Sequence, residues 1–204
     1  MKTDVLFVTD MSGSMTSRAK AVRDGFNDYI KELRTSNGEY TVTLTTFADE
    51  ANKPIRWDTL AQVPDMDEDL YEPGGMTALL DAVGGTIEGY AGSAEKVTLI
   101  IQTDGYENAS RSYSRDRVAN LLRDKEKAGW LIVFLAQGGE EVLRDATTWG
   151  IQRASSVGTT SSPGGTRSGY RAAAGATVSY AGGQSVNVSM GVARSTVEAD
   201  GESA

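Results

Sequence analysis

The chain has 204 residues, enough for one domain with a sizeable core, and its 28 acidic and 20 basic residues leave a net charge of −8. An acidic balance of that size argues against a non-specific nucleic-acid binder. With no cysteine and no histidine, the chain excludes a disulfide framework, the usual zinc sites, and the Ser-His-Asp and Cys-His dyads.

The N-terminus enters a strand almost at once, Asp4-Val5-Leu6-Phe7-Val8-Thr9, with no charged-then-apolar leader. No apolar run approaches the ~20 residues that span a bilayer. A soluble, cytoplasmic protein is the expectation. After the loop Asp10-Met11-Ser12-Gly13-Ser14, the spacing of Ala19, Val22, Phe26, Ile30 and Leu33 predicts a helix over residues 17–35, stopped by Asn37-Gly38. Threonine-rich alternation over residues 41–47 reads as a strand, and residues 53–57 as its hairpin partner at an edge, where Pro54 is tolerated. The acidic connector 65–72 reads as a solvated loop.

Gly74-Gly75-Met76-Thr77 then leads into a second helix that opens at Thr77, with Leu79, Ala82, Val83, Ile87 and Tyr90 as its stripe. Residues 97–102 form the next strand and run into Thr103-Asp104-Gly105. Val118, Leu121, Leu122 and Lys125 give a third helix ending at Gly129, and Trp130-Leu-Ile-Val-Phe-Leu-Ala136 is apolar throughout, as a strand covered on both faces should be. Gly138-Gly139 and a short helix with Val142, Leu143 and Ala146 follow. The order predicts an α/β fold: an open, mostly parallel sheet with one antiparallel edge strand and helices on both faces. The last fifty residues turn to Gly, Ser, Ala and Thr. Ser162-Pro163 nevertheless reads as an N-cap and first helical position, with Tyr170, Ala173, Ala174, Thr177 and Val178 at helical spacing, so a helix is predicted over 163–181. Val186, Val188, Met190 and Val192 alternate like a strand, either an added edge or a segment ordered by a partner, and residues 196–204 are expected to be disordered. The expected division is a domain over 1–182 and a Gly/Ser/Val-rich tail over 183–204.

Three of these segments carry the parts of one divalent-cation site. Asp10 and Asp104 follow apolar strands, and a strand order like 3-2-1-4-5 reverses between those two strands, where open parallel sheets bind ligands. Mg²⁺ takes hard oxygen donors and keeps some of its waters. Ser12, Ser14 and Thr77 offer neutral hydroxyls that leave most of its charge uncompensated, while Asp10 and Asp104 act through waters. An ion held in this way still attracts an anion, such as a carboxylate from a partner protein. Each motif alone is an ordinary turn or cap, but the three in this order are specific.

This combination closely resembles the von Willebrand factor type A domain and its metal-ion-dependent adhesion site. That site's pattern is D-x-S-x-S, then a threonine, then an aspartate. Asp10, Ser12, Ser14, Thr77 and Asp104 match it without departure, and the resemblance covers about residues 1–150. Residues 74–82 and 103–110 look most like stand-alone bacterial and bacteriophage members, some of them tellurium-resistance-like. The resemblance implies a Rossmann-like α/β fold, Mg²⁺ or Mn²⁺ at the site, and protein–protein interaction; from charge, apolar runs and the lack of a free base, no nucleic acid, no membrane and no catalysis are expected. Two other classes compete. Haloacid-dehalogenase phosphotransferases use D-x-D after a strand, but Ser12 replaces the second acid. Metal-assisted hydrolysis has only Asp10, Asp104 and Glu107 as candidate bases. Neither a Walker loop nor G-x-G-x-x-G follows the first strand, which sets nucleotide binding low. A structural or virion-associated role through the tail is compatible with the metal site.

Overall fold

The apolar run after Lys2 becomes the middle of a sheet. The computed structural model describes residues 2–104, 107–137, 156–159, 162–184 and 186. Strand β1 (Lys2–Asp10) is buried at every position after Lys2. It lies parallel to β2 (Glu39–Phe47) on one side and to β4 (Lys96–Thr103) on the other. The short β3 (Ile55–Trp57) pairs antiparallel with β2 at the edge. Beyond β4 come β5 (Leu131–Gln137) and β6 (Ser156–Thr159), both parallel, giving the order β3-β2-β1-β4-β5-β6. The chain reverses its direction across the sheet between β1 and β4, as the sequence predicts.

Alternation along the strands feeds two cores. Val5 and Phe7 of β1, Ile100 of β4 and Val133 and Leu135 of β5 face one side, under α1 (Ala19–Thr35) and the last helix, α4 (Pro163–Ala181). Leu6 and Val8, Leu99 and Ile101, and Ile132 and Phe134 face the other, under α2 (Leu79–Gly89) and α3 (Arg115–Lys127). Helix α1 packs through its predicted stripe, and the Phe7 ring sits 5.0 Å from Phe26 and 4.9 Å from Tyr29, centroid to centroid. Such tilted pairs add to the area they bury.

Helix α4 is an integral layer despite its small-residue composition. The Ser162 hydroxyl caps it by accepting from Gly165 N at 3.1 Å, and Gly183, at φ +82°, carries the chain out of its last turn. Tyr170, Ala173 and Ala174 are fully buried, and Tyr29 Oη lies 2.7 Å from Thr177 Oγ1 across the α1–α4 interface.

Several elements differ from their sequence reading. Helix α1 starts at Ala19, because residues 13–18 form a tighter 3-10 turn that brings Ser14 back toward Ser12. Helix α2 starts at Leu79, leaving Thr77 in the loop. The acidic connector is more than a solvated loop: Met66 and Tyr71 are core residues inside it, while Asp65, Asp67, Glu68 and Asp69 point outward. Strand β6 was unread, being four residues in a Ser/Gly-rich stretch. The predicted helix around Val142, Leu143 and Ala146 lies outside the described residues, as do Val188, Met190 and Val192. Val186 packs, partly buried, against the first core. Among the described residues no helix is long and apolar enough to cross a membrane.

A Cβ added at Gly25 on α1 would come within 2.4 Å of the buried Tyr170 ring on α4. Gly25→Ala is therefore expected to destabilise the fold by about 1–3 kcal/mol in urea unfolding. An unchanged midpoint would mean that α4 does not pack on α1.

Candidate metal centre

The β1–β4 register pairs Thr9 with Gln102, so the two carboxylates leave adjacent strands at one rim. Asp10 is 0% exposed and Asp104 5%. The Asp10 carboxylate is held in place by two donors: Ser12 N at 2.8 Å on Oδ1 and Thr103 Oγ1 at 2.6 Å on Oδ2. Burial pushes the Asp10 carboxyl above the usual carboxylate range, and the charge of Asp104 adds to this, against the pull of the Thr103 and Ser12 hydrogen bonds. Asp104 is less well served. Its Oδ1 is buried with no hydrogen-bond partner, and Arg18 Nη1 stands 4.0 Å from Oδ2.

The hydroxyls come from two loops. Ser12 Oγ and Ser14 Oγ lie 3.0 Å apart, because the 3-10 turn folds Ser14 over the strand end. Thr77, 3% exposed, belongs to a loop that is laced to the first one. Gly13 N donates to Gly75 O at 3.0 Å and Gly74 N to Met11 O at 2.8 Å. Gly75 has φ +82°, and a Cβ there would sit 2.7 Å from Asp49 Oδ2, so both backbone and space require glycine. Asp49 Oδ1 accepts from Met76 N at 2.9 Å. The third loop is tied to the second by a reciprocal clasp, Thr77 N to Asn108 Oδ1 at 2.8 Å and Asn108 N to Thr77 O at 3.1 Å. All three predicted segments thus meet at one rim.

Besides Thr103, Asp49 and Asn108, four more residues outside the predicted five build this rim. Tyr71 donates to Asp10 O at 2.6 Å, and burial pushes its phenol upward, so it remains a protonated donor. Glu107 is not a free base. Its carboxylate accepts from Leu80 N, Ala109 N, Ser110 N and Ser110 Oγ at 2.8–3.1 Å, stitching the third loop to the start of α2. Asp81, in the first turn of α2, answers by accepting from Arg111, Ser112 and Tyr113 N, each at 2.9 Å. The fourth is Arg18. The sequence signal for Glu107 and Asn108 is their place in the family-like segment 103–110, where Glu107 reads as a candidate base rather than as a brace.

The donor set fits a small hard cation. Two carboxylates and the hydroxyls of Ser12 and Ser14 gather at one rim, Thr77 is bonded into that rim through its backbone, and one carboxylate oxygen is buried without a donor. Among the described residues no group of three acidic side chains forms a metal-holding cluster.

Glu107→Ala strips four donors of their acceptor and is expected to cost about 2–3 kcal/mol of metal-free stability by urea unfolding. A cost near zero would mean that the loop is held by other contacts.

No protein-family model matches the sequence, nor does any curated protein. Solved structures do match the fold. Proximal thread matrix protein 1 from the mussel byssus superposes with a TM-score of 0.63 at 22% identity, over 85% of this chain and 45% of that one. A further structure of the same mussel protein is described as having a zinc-occupied MIDAS motif and matches at a TM-score of 0.61 and 19% identity, covering 86% of this chain and 46% of that one. The vWF domain of the type V pilus tip protein Mfa5 from Porphyromonas gingivalis gives a TM-score of 0.65 at 11% identity, over 85% of this chain and 94% of that domain. The chain therefore spans less than half of the mussel protein.

Proposed function

For this chain, which has the von Willebrand factor type A fold, we propose the role of a divalent-cation-dependent protein-interaction module. Asp10, Ser12, Ser14, Thr77 and Asp104 hold the ion, Mg²⁺ or Mn²⁺, and an Asp or Glu side chain of a partner protein completes its coordination. When bound, the ion supplies a concentrated positive charge that the site's own ligands leave partly unneutralised.

The observation that carries this reading is the buried Asp104 Oδ1 without a donor. A buried, unsatisfied carboxylate oxygen is costly, and its simplest remedy at this rim is a cation or a water held by one. Asp10, with both oxygens already accepting from the protein, serves to orient the first loop and to add charge. The hydroxyls of Ser12 and Ser14 are near enough to share an ion. The zinc-occupied motif of the mussel protein supports a divalent metal at this place in the fold, and the byssus-thread and pilus-tip settings of the matching structures support a protein partner.

Binding is favoured over hydrolysis by the state of the acids. Glu107, the base candidate outside the five, is consumed by four hydrogen bonds.

Calorimetry with Mn²⁺ or Mg²⁺ is expected to show one site, abolished in Asp10→Ala and weakened about tenfold or more in Thr77→Ala. Unchanged binding in both variants contradicts the proposal. Affinity capture with and without chelator, read by mass spectrometry, is expected to release a partner when the metal is removed. A complex indifferent to chelation would place the interface elsewhere.

A further inference from the structure

The rim carries a second buried atom without a partner, and it is of the opposite kind. Arg18 closes the 3-10 turn that contains Ser14. Its Nη1 donates to Ser14 O at 3.3 Å and stands 4.0 Å from Asp104 Oδ2, too far for a hydrogen bond. Its side chain is 19% exposed, and its Nε is buried with no acceptor. The same rim thus holds an acceptor without a donor, Asp104 Oδ1, and a donor without an acceptor, Arg18 Nε. These two atoms do not satisfy each other, although their side chains approach.

A lone cation answers only the first need, and it sets a like charge beside the guanidinium. A lone anion answers only the second, and it meets two carboxylates. A cation that brings its own anion satisfies both. On the basis of the metal reading above, we propose that Arg18 is a second anion-binding group of this site, holding one oxygen of the partner's carboxylate while the other oxygen binds the metal.

Arginine suits this task because its planar guanidinium stays charged and offers N–H donors beyond the one given to Ser14 O. The arrangement also has an energetic signature. A guanidinium near the ion opposes metal binding and favours anion binding, so the two affinities respond to Arg18 in opposite directions. A residue that merely braced the turn would lower both or neither. The partner's acidic side chain is then selected by two contacts rather than one, and an acid that reaches the metal without reaching Arg18 binds more weakly.

The test uses the whole chain with Mn²⁺ held below the protein concentration and acetate as the probe. Broadening of the acetate methyl proton signal reports an anion beside the bound ion. Free Mn²⁺, read by electron paramagnetic resonance, gives the metal affinity separately, and circular dichroism checks that each variant folds. Arg18→Ala is expected to weaken acetate roughly tenfold while Mn²⁺ affinity stays level or rises. Arg18→Lys, which keeps the charge and loses the fork, is expected to recover part of the acetate affinity. Equal acetate affinity in wild type and Arg18→Ala overturns the proposal. So does weaker Mn²⁺ binding in Arg18→Ala, which makes Arg18 a support of the metal ligands, and so does a Mn²⁺-loaded wild type that does not broaden acetate. A wild type that takes up no Mn²⁺ defeats the metal reading itself and this inference with it, so the two failures are told apart.

Discussion

Two carboxylates kept out of water at the ends of adjacent parallel strands set the terms for the rest of this rim. Asp10 and Asp104 follow β1 and β4, and both are almost wholly buried. Burial, with the charge of Asp104 adding to it, disfavours the charged form of Asp10. A fold retains such a pair only if something compensates it. Part of the compensation is internal: Ser12 N and Thr103 Oγ1 on Asp10, and the more distant Arg18 by Asp104. The remainder is the charge that the proposed divalent ion would supply.

The surrounding contacts make sense as devices that keep this costly arrangement rigid. Loop one is bonded to loop two through Gly13–Gly75 and Gly74–Met11, and loop two to loop three through Thr77–Asn108. Tyr71 fixes the backbone of Asp10 from the connector, so this buried ring couples the first core to the site. Glu107 and Asp81 cross-brace the third loop against α2. The extra hydrogen bonds are short-range, directional and mostly to backbone, which suits holding hydroxyl donors at fixed positions better than apolar packing does. The cores below supply the platform: the sheet is buried on both faces, so the strand ends cannot drift independently.

Most of the scaffold was readable because its signals are local or periodic. Continuous apolar runs announced β1, β4 and β5, the 3.6-residue stripe announced α1, and Ser162-Pro163 with the stripe from Tyr170 onward placed α4 against its Gly/Ser/Ala-rich composition. The five proposed site residues stand out in the sequence because oxygen-only loop chemistry recurs at two strand ends in the order of the family the chain resembles. What escaped depends on partners distant in sequence. Tyr71 and Met66 sit among charges, so composition marks their segment as solvated, yet their burial is decided by α1 and the sheet. Glu107 looks like any loop acid until Leu80 and Ser110 are brought to it. Arg18 continues a helical pattern, and only the 3-10 turn aims it at Asp104. Strand β6 is four residues long and carries no apolar run, and the ladder from β5 defines it.

The central claim is that Ser12, Ser14 and Thr77, backed by Asp10 and Asp104, enclose one divalent ion. The most direct measurement is a crystal structure of the protein grown with Mn²⁺, with diffraction collected at a wavelength where manganese scatters anomalously. The account predicts one anomalous peak bonded to the hydroxyls of Ser12, Ser14 and Thr77. A well-ordered rim with no peak there, at saturating Mn²⁺, contradicts it.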